Sequence, residues 1–600
     1  MMQSRTYNCN ELRSRHIGGK VTLAGWYENL RKVSKNLGFL ILRDFYGTTQ
    51  IVIETEELMQ SLDGVNNEST LRIEGVVRER SNKNPHLPTG DIEVVPEKIT
   101  VLGNCRYNAL PFEINRSKEA DENLRLKYRY LDLRNPQVKD KIVLRSRIVA
   151  ELRNRMTDLG FLEITTPILT CSSPEGARDY IVPSRVHPGK FYALPQAPQQ
   201  FKQILMASGF DRYFQIAPCF RDEDARADRS PGEFYQLDME MAFADQQDVF
   251  SIIEEVLPPV FEKYGVYKTA SKPPFTRIPY LEAMEKYGSD KPDLRIDLLV
   301  QDATGCMADC GFAPFAENVV KAVVVDRFSA TRKVIDKICH DVEVQSGEKA
   351  YWFRLDENGE FVGGISKFLT ERKERVIEAL GLKPGDFVGL TAGKKARAQK
   401  TAGVLRNLLG LCCEAHMDKE QYAFCWIVDF PMYEIGEESG RLEFCHNPFS
   451  MPQGGMAALE EQEPLSILAY QYDLVCNGVE LSSGAVRNHD PEIMVKAFQL
   501  VGLGEEDVKA RFPAMYNAFC YGAPPHAGIA PGVDRMIMLI TGEESIREII
   551  PFPMNKSAMD VMMNAPAAVE QKQLDEVHIG LKAQDGAASR SEMEIKIENI

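Results

Sequence analysis

The sequence predicts an α+β protein of several domains, and three observations carry this prediction. Five short β-rich runs alternate with turn residues within the first hundred residues. A polar strand, loop and strand is predicted over 220–240, and a matching strand-like run follows at 528. The connection between them is longer than two neighbouring strands of one sheet need. The stretch between them, 291–422, alternates strand-like and helix-like runs of its own, so we predict an inserted domain there.

The composition is that of an ordinary globular protein. With 600 residues and 44% hydrophobic content, the chain supports three or four domains of roughly 100 to 200 residues each. No apolar run approaches the ~20 residues of a membrane span, and the N-terminus has no hydrophobic signal segment, so we expect a cytoplasmic protein. The net charge of −16 argues against a surface coated uniformly for nucleic acid, but it allows a local basic patch.

The cysteine pattern predicts free thiols. The 13 cysteines follow no regular framework, which is typical of a reducing compartment. Cys306, Cys310, Cys339 and His340 could form a zinc site only with loose spacing, so we expect no metal site among them.

The first hundred residues predict a small barrel. The β-rich runs cover 21–27, 39–44, 50–53, 70–77 and 90–95, as expected for a five-stranded oligonucleotide- and oligosaccharide-binding (OB) barrel. Phe39 lies close in sequence to Arg31, Lys32 and Lys35, and an aromatic ring beside cations is what unstacked bases bind. A core phenylalanine beside a solvated loop is the alternative.

A long helix and an extended run follow. Apolar residues recur at three to four positions from Lys139, and Gly160 predicts the end of an amphipathic helix. The run from Phe161 to Pro167 is strand-like and closed by a proline, so we expect an edge strand, in the sheet of this chain or against a partner subunit.

The stretch over 220–240 is the first candidate site. On its returning strand the period of two puts Gln236, Asp238 and Glu240 on one face and apolar residues on the other. Arg221 and Arg226 stand among acids at its mouth, and arginine forks bind phosphate oxygens in pairs. A solvated hairpin with surface ion pairs is the alternative.

The C-terminal half adds polar strands or turns at 445–449, 480–487 and 528–535. The last of these leads into an apolar helix that carries Arg535.

These runs together resemble a known family. FRDE at 220–223, GIAPGVDR at 528–535 and the helix and strand ending at Pro167 resemble motifs 2, 3 and 1 of class II aminoacyl-tRNA synthetases. RLKYRYLDLR at 125–134, PEGARDY at 174–180, GKFYALPQ at 189–196 and GSDKPD at 288–293 resemble the bacterial-type aspartyl-tRNA synthetases. The resemblance covers the chain to about Ile579.

The resemblance implies the fold and the domain order. It implies an N-terminal OB barrel that binds the anticodon, a class II antiparallel sheet core with flanking helices, and an inserted α/β domain of the GAD type. The expected segments are an OB domain over 1–107, a hinge over 108–140, the catalytic domain over 141–288 and 424–568, the GAD domain over 289–423, and a C-terminal extension over 569–600.

The implied reaction joins aspartate to tRNA, with ATP as a substrate that is converted to AMP and diphosphate. The implied metal is Mg²⁺. The implied catalytic residues are Arg221, for the α-phosphate, and Arg535, for the γ-phosphate. The other implied ATP ligands are Glu223, Phe234 and Glu480, and the implied metal ligands are Asp473 and Glu480. The implied aspartate ligands are Glu175, Gln199, Lys202, Gln236, His446 and Arg487. The implied anticodon contacts are Arg31, Phe39, Gln50 and Glu93.

Several residues depart from the family pattern. Gly232 lengthens the motif 2 tip, Tyr235 replaces a threonine, and Ala197 replaces a serine. Asn447 replaces a histidine, and Ser482, Ser483 and Ala485 replace a GGGS run, which puts a hydroxyl ligand for magnesium at 485 in doubt. The barrel loop 31–38 is two residues longer than in the usual family pattern, and this change is expected to affect anticodon selectivity.

The expected partners are tRNA(Asp), L-aspartate and a second copy of the chain in a homodimer. From the altered loop and the ELSSGAVRNH run we also expect tRNA(Asn) to be charged, with an amidotransferase as further partner. Two other interpretations stay open: a catalytically silent RNA-binding relative, and a ligase that makes a small amide on the same core.

Overall fold

The computed structural model describes residues 4–172, 177–436 and 439–581. Within these ranges no helix is both long enough and apolar enough to cross a membrane. The chain divides into two compact units, residues 1–117 and 118–600.

The first unit is a closed five-stranded barrel, as the sequence predicts. Its strands are β1 (Lys20–Lys32), β2 (Gly38–Arg43), β3 (Thr48–Ile53), β4 (Thr70–Glu79) and β5 (Ile92–Gly103), with α1 (Glu56–Gln60) after β3. The order around the barrel is β1-β2-β3-β5-β4, and β3 and β5 are parallel where they meet. Alternation along each strand fills the barrel with fully buried side chains: Leu23, Leu40, Ile51, Ile73 and Val94.

The second unit begins with helices. They are α2 (Glu122–Lys127), α3 (Arg129–Asp132), α4 (Pro136–Asp158), α5 (Gln199–Ala207), α6 (Gln246–Tyr264) and α7 (Tyr280–Tyr287). The long helix α4 begins earlier than predicted, because Asn135 caps it by accepting a hydrogen bond from the Gln137 amide at 2.9 Å and Pro136 suits its first turn. The strands of this part are β6 (Leu162–Glu163), β7 (Ile181–Pro183), β8 (Phe191–Ala193), β9 (Arg212–Arg221), β10 (Gly232–Ala242), β11 (Thr269–Ala270) and β12 (Thr276–Pro279).

The predicted edge strand over 161–167 is shorter than expected. Only Leu162 and Glu163 pair with β9, in parallel. Farther along, the Thr166 amide donates to the side chain of Gln215 on β9, at 3.4 Å, and not to the backbone of that strand. A side chain therefore ends the ladder before Pro167.

The inserted segment forms a sheet of its own. Its strands are β13 (Val300–Asp302), β14 (Val319–Val325), β15 (Ala350–Leu355), β16 (Phe361–Val362) and β17 (Phe387–Gly393), in the antiparallel order β13-β14-β17-β15-β16. Its helices are α8 (Thr304–Met307), α9 (Arg332–Ser346), α10 (Lys373–Leu380) and α11 (Lys395–Cys412), and β18 (Gln421–Tyr422) follows. Helices α9 and α11 cover one face and α8 and α10 the other, so β14 is apolar along almost its whole length.

The chain then returns to complete a larger sheet. The elements are β19 (Phe424–Val428), β20 (Tyr433–Ile435), β21 (Leu442–Phe444), β22 (Gln471–Cys476), β23 (Val479–Val486) and β24 (His526–Ile529), with α12 (Gly455–Glu461), α13 (Pro491–Leu500), α14 (Glu505–Arg511), α15 (Pro513–Cys520), α16 (Val533–Thr541) and α17 (Gln571–Glu576). The eight-stranded sheet has the order β12-β19-β22-β23-β24-β10-β9-β6, and its inner pairs are antiparallel.

One face of the eight-stranded sheet is covered by helices. Apolar residues of α4, α6 and α16 pack on it in one cluster, in which Trp426 stacks on Phe250 with ring centroids 4.1 Å apart. The indole of Trp426 donates to the Glu254 carboxylate at 2.9 Å. On the opposite face, α7 packs on β12, β19 and β22 in a smaller apolar cluster, and polar side chains occupy the middle of the sheet.

Candidate active site

A polar cleft of about 630 Å³ opens on the face of the eight-stranded sheet opposite to α4, α6 and α16. The structure brings eleven of the predicted site residues together in its wall: Gln199, Lys202, Arg221, Glu223, Phe234, Gln236, His446, Asp473, Glu480, Arg487 and Arg535. The predicted residue Glu175 lies outside the described residues.

Strand register explains why distant residues meet here. Across four neighbouring strands, Gln471 pairs with Ala485, Ala485 with Gly528, and Gly528 with Glu240. A Cβ on Gly528 would lie 2.0 Å from a Glu240 carboxylate oxygen, so only glycine lets that side chain lie over β24. Small residues in the middle of the row leave room between the larger polar groups on either side.

Two cations and two acids form a buried quartet at one end of the cleft. The Lys202 ammonium is 2.8 Å from Asp238 and 3.5 Å from Glu240, and the Arg487 guanidinium contacts both Glu240 oxygens at 2.9 and 3.2 Å. Burial raises the pKa of Asp238. Burial alone would also raise the pKa of Glu240, but Arg487 and Lys202 outweigh it and hold that pKa below its ordinary value. The two cations thus keep Glu240 ionised in a dry site, and all four side chains are held in fixed positions by one another.

The β9–β10 hairpin forms a second part of the wall. Arg221 and Gly232 pair at its loop end, and the Arg221 guanidinium lies 5.0 Å from the centre of the Phe234 ring. Glu223 is held by Arg229 at 2.7 Å. A flat aromatic face beside an arginine suits a planar base with a phosphate attached to it.

The other end of the cleft combines two acids with two cations. Glu480 contacts the Lys291 ammonium at 2.7 Å and lies 3.7 Å from the Arg535 guanidinium, while Ser483 donates to Asp473 at 2.5 Å. Burial, and then repulsion from Glu480, raise the pKa of Asp473 well above its ordinary value. Desolvation acts against the charge on Glu480, but Lys291 and then Arg535 overcome it and lower that pKa.

The loop after β21 closes the cleft over β22. Gln471 donates to the Asn447 carbonyl at 3.1 Å and to the Ser450 hydroxyl at 2.8 Å, which fixes this loop to the sheet. The His446 ring packs edge-on against Phe430 at 4.9 Å, and burial lowers the pKa of His446. The imidazole is therefore a neutral group near neutral pH.

Four buried polar atoms in the cleft wall have no hydrogen-bond partner within the described ranges. They are Gln199 Nε2, Arg221 Nε, Asp238 Oδ1 and Gln471 Oε1. Buried polar groups are nearly always paired, so orphaned donors and acceptors in one cleft indicate a polar ligand. Among the described residues, no group of three or more His, Cys, Asp or Glu side chains could hold a metal ion.

Sequence reasoning gave no role to several residues of the wall. Asp238 and Glu240 were predicted only to share a polar face, and neither Lys291 nor Gln471 was singled out as a site residue. Lys291 lies in the GSDKPD run, which is a usable signal. Gln471 lies two residues before Asp473, so the period of two places both side chains on the same face of β22.

The predicted anticodon residues share one region of the barrel. Arg31 on β1 and Phe39 on β2 are cross-strand neighbours, with the guanidinium 5.0 Å from the ring centre. Gln50 on β3 donates to Glu93 on β5 at 3.0 Å, and Arg78 holds the other Glu93 oxygen at 2.7 Å. The barrel therefore presents an aromatic ring, a cation and a fixed amide–carboxylate pair.

Comparison with known proteins agrees with both units. A family model described as OB-fold nucleic acid binding domain matches residues 21–102, and one described as tRNA synthetases class II (D, K and N) matches residues 121–556. A solved asparaginyl-tRNA synthetase from Pyrococcus horikoshii, complexed with asparaginyl-adenylate, shares the fold at 19% identity and a TM-score of 0.56, over 92% of this chain and 98% of its own.

Curated relatives match along almost the whole length. An aspartate–tRNA ligase of Streptomyces coelicolor is 51% identical over 97% of this chain and 99% of its own. An aspartate–tRNA(Asp/Asn) ligase of Zymomonas mobilis is 51% identical over 98% of this chain and 99% of its own. The chain therefore belongs to the aspartate–tRNA ligase family of class II tRNA synthetases.

Proposed function

We propose that this chain activates L-aspartate with ATP and transfers it to the 3′ end of tRNA(Asp), and that it also charges tRNA(Asn). The observation that carries the proposal is the buried Lys202–Asp238–Glu240–Arg487 quartet, of which Lys202, Asp238 and Arg487 line the same cleft as the Arg221–Phe234 pair. One end suits a small dianionic amino acid and the other a nucleotide. Whole-length relatives named as aspartate–tRNA ligases support the same substrates.

The aspartate end selects by charge. Arg487 and Lys202 bind the side-chain carboxylate, Gln199 binds the α-amino group, and Gln236 and His446 complete the pocket. Glu175 is a further predicted ligand of the α-amino group. The side-chain amide of asparagine carries no charge, so it would lose the attraction of Arg487 and Lys202 and would place its own N–H donors against these donors in a desolvated site. Orphaned Gln199 Nε2 and Asp238 Oδ1 support a ligand with both donors and acceptors.

The nucleotide end positions the phosphates. Phe234 stacks on the adenine, Glu223 binds near it, and Arg221 binds the α-phosphate and the attacking carboxylate, where negative charge accumulates in the transition state. Arg535 holds the γ-phosphate. Because the carboxylate of aspartate is itself the nucleophile, these residues work by orientation and charge rather than by covalent catalysis.

Asp473 and Glu480 fit magnesium. Their carboxylates face each other closely enough that Glu480 raises the pKa of Asp473, and oxygen ligands of this kind are what Mg²⁺ prefers. A bound divalent cation shields phosphate charge and orients the leaving group. The Ser483 hydroxyl, which donates to Asp473, supplies the oxygen that Ala485 lacks.

The barrel reads the anticodon. Phe39 stacks on a base, and Arg31, Gln50 and Glu93 contact neighbouring bases or backbone, with Arg78 holding the Glu93 carboxylate in place. The lengthened loop 31–38 supports a relaxed choice between tRNA(Asp) and tRNA(Asn). Aspartyl-tRNA(Asn) then requires a partner amidotransferase.

The working form is a homodimer in the cytoplasm. Strand β6 is the edge of the eight-stranded sheet. Leu162 on this strand and Leu169 after it are 56% and 51% exposed, which supports the packing of a second copy there. All 13 cysteines are free thiols, which supports a reducing compartment. Light scattering at micromolar concentration should give twice the chain mass of 67.6 kDa.

Aspartate-dependent exchange of pyrophosphate into ATP tests the first step. We expect exchange with aspartate and none with asparagine or glutamate, and its absence with all three would refute the proposal. Aspartylation of purified tRNA(Asp) and tRNA(Asn) tests the second step, and failure with tRNA(Asn) alone would limit the function to tRNA(Asp).

A further inference from the structure

The GSDKPD run carries a lysine into the cleft, although the run lies where the chain leaves the catalytic core for the inserted sheet. Helix α7 ends at Tyr287 with Gly288 as its cap, and the Lys291 amide then donates to the Ser289 hydroxyl at 3.0 Å. Two residues later, the Asp293 carbonyl accepts from Arg406 of α11 at 3.0 Å. Contacts on both sides fix this short segment, so the direction of Lys291 is set by the fold.

The position of Gly288 shows how closely the segment is held. Its φ is +64°, and a Cβ there would lie 2.3 Å from the Gln399 carbonyl oxygen and 2.5 Å from the Gly403 nitrogen of α11. Only glycine permits this turn against the helix. The turn directs the chain, and with it Lys291, back toward the sheet.

Lys291 meets Glu480 from the side opposite to Arg535. Its ammonium is 2.7 Å from one Glu480 oxygen, and the Arg535 guanidinium is 3.7 Å from the other. The Lys291 side chain is 41% exposed. An ion pair this exposed adds little stability, so its stabilising effect does not account for a lysine fixed at this point.

We propose that Lys291 is a further ligand of the ATP polyphosphate and of the pyrophosphate that leaves it. The inference rests on the proposed function. Lys291 and Arg535 form a pair of cations on either side of the Glu480 carboxylate, at the end of the cleft away from the aspartate quartet. An ammonium group is a compact charge with three donors and binds phosphate oxygens without the fixed plane of a guanidinium.

The first step explains why a cation is useful there. An aspartate carboxylate oxygen forms a bond to the α-phosphorus, and the bond from that phosphorus to the bridging oxygen breaks. Pyrophosphate leaves with the electron pair of the broken bond and the new negative charge. A lysine at the polyphosphate stabilises that charge as it forms, whereas the later transfer to tRNA involves no polyphosphate.

The difference between the two steps supplies the test. Lys291→Ala should raise the KM for pyrophosphate in the exchange reaction by about 10- to 100-fold, the value of one charge-assisted hydrogen bond. Lys291→Arg should recover most of the loss. Single-turnover transfer of aspartate to tRNA from the isolated enzyme–adenylate complex should proceed at the parent rate in every variant.

Lys286→Ala is the matched control. Lys286 makes an ion pair of the same 2.7 Å length with Glu282 on α7, outside the cleft, so its removal should leave both steps unchanged. A KM for pyrophosphate within twofold of the parent in Lys291→Ala would overturn the inference. Equal loss of exchange and of transfer, together with a lower unfolding temperature, would overturn it as well, because it would mark a structural anchor. Absence of exchange in the parent chain would instead refute the proposed function.

Discussion

Replacing Arg487 by methionine tests the aspartate end of the cleft most directly. Arg487 is 2% exposed and contacts both oxygens of Glu240, itself fully buried. Arg487→Met removes the charge and keeps much of the side-chain volume. The variant thus removes the guanidinium proposed to bind the substrate carboxylate and leaves Glu240 with Lys202 alone, at 3.5 Å.

The size of the effect follows from these contacts. In the proposed function Arg487 makes two charge-assisted hydrogen bonds to the aspartate carboxylate, at about 1.5 to 3 kcal/mol each, so kcat/KM for aspartate should fall by about 10²- to 10⁴-fold. The free energy of unfolding should fall by about 3 to 5 kcal/mol, because a buried carboxylate loses its partner. The KM for ATP should change little, since the Arg221–Phe234 wall is intact.

A second variant separates substrate binding from stability. Glu240→Gln combined with Arg487→Met removes both buried charges, so most of the stability should return while kcat/KM for aspartate stays low. Arg43→Met, which breaks the buried 2.6 Å Arg43–Glu68 pair in the barrel, should destabilise the chain without changing aspartate activation. Retention of kcat/KM for aspartate within threefold in Arg487→Met would refute the assigned role.

Three further predictions concern other parts of the chain. Phe39→Ala should raise the KM for tRNA by about 5- to 150-fold, the value of one stacked base, and leave pyrophosphate exchange unchanged; an effect on exchange would contradict a role confined to the anticodon. Trp426→Ala should lower the free energy of unfolding by about 3 to 5 kcal/mol in urea titration, because the indole is fully buried against Phe250; a loss under 1 kcal/mol would contradict this packing. Burial opposes the charge on Glu548, but Arg125, at 2.8 Å, holds the pKa of Glu548 below its ordinary value of 4.5. That stabilisation is present above pH 4.5 and is lost as the pH falls through the folded-state pKa, so Glu548→Gln should destabilise at pH 7 and the deficit should shrink progressively as the pH falls below 4.5; a deficit that grows toward acid pH would contradict the sign.

Local pattern was enough to predict the hairpin and the barrel. The alternation that assigns Gln236, Asp238 and Glu240 to one face depends only on strand geometry, and the structure has the β9–β10 hairpin with that face toward the cleft. The apolar run in β14 fits a strand covered on both faces, which has no polar alternation. The antiparallel order of that sheet was not predictable, since periodicity carries no information on strand direction.

Ion pairs between distant residues were beyond sequence reasoning. Lys202 and Arg487 were predicted to bind a substrate, and in the structure both contact Glu240, which no spacing rule connects to either. Which acid pairs with which base depends on strand order, and strand order follows from packing of the complete sheet. The position of Glu175, the roles of the individual site residues and the domain boundaries stay predictions.

The order in which its strands are synthesised determines when the cleft can be completed. Strand β10 pairs with β24, and almost half of the chain lies between Glu240 and its partner Gly528. During translation the β9–β10 hairpin emerges early with one edge of β10 unpaired, while the inserted segment has its own sheet and core to complete. The cleft is therefore complete only after β24 and α16 have been synthesised, because β24 pairs with β10 and α16 supplies Arg535 to the wall.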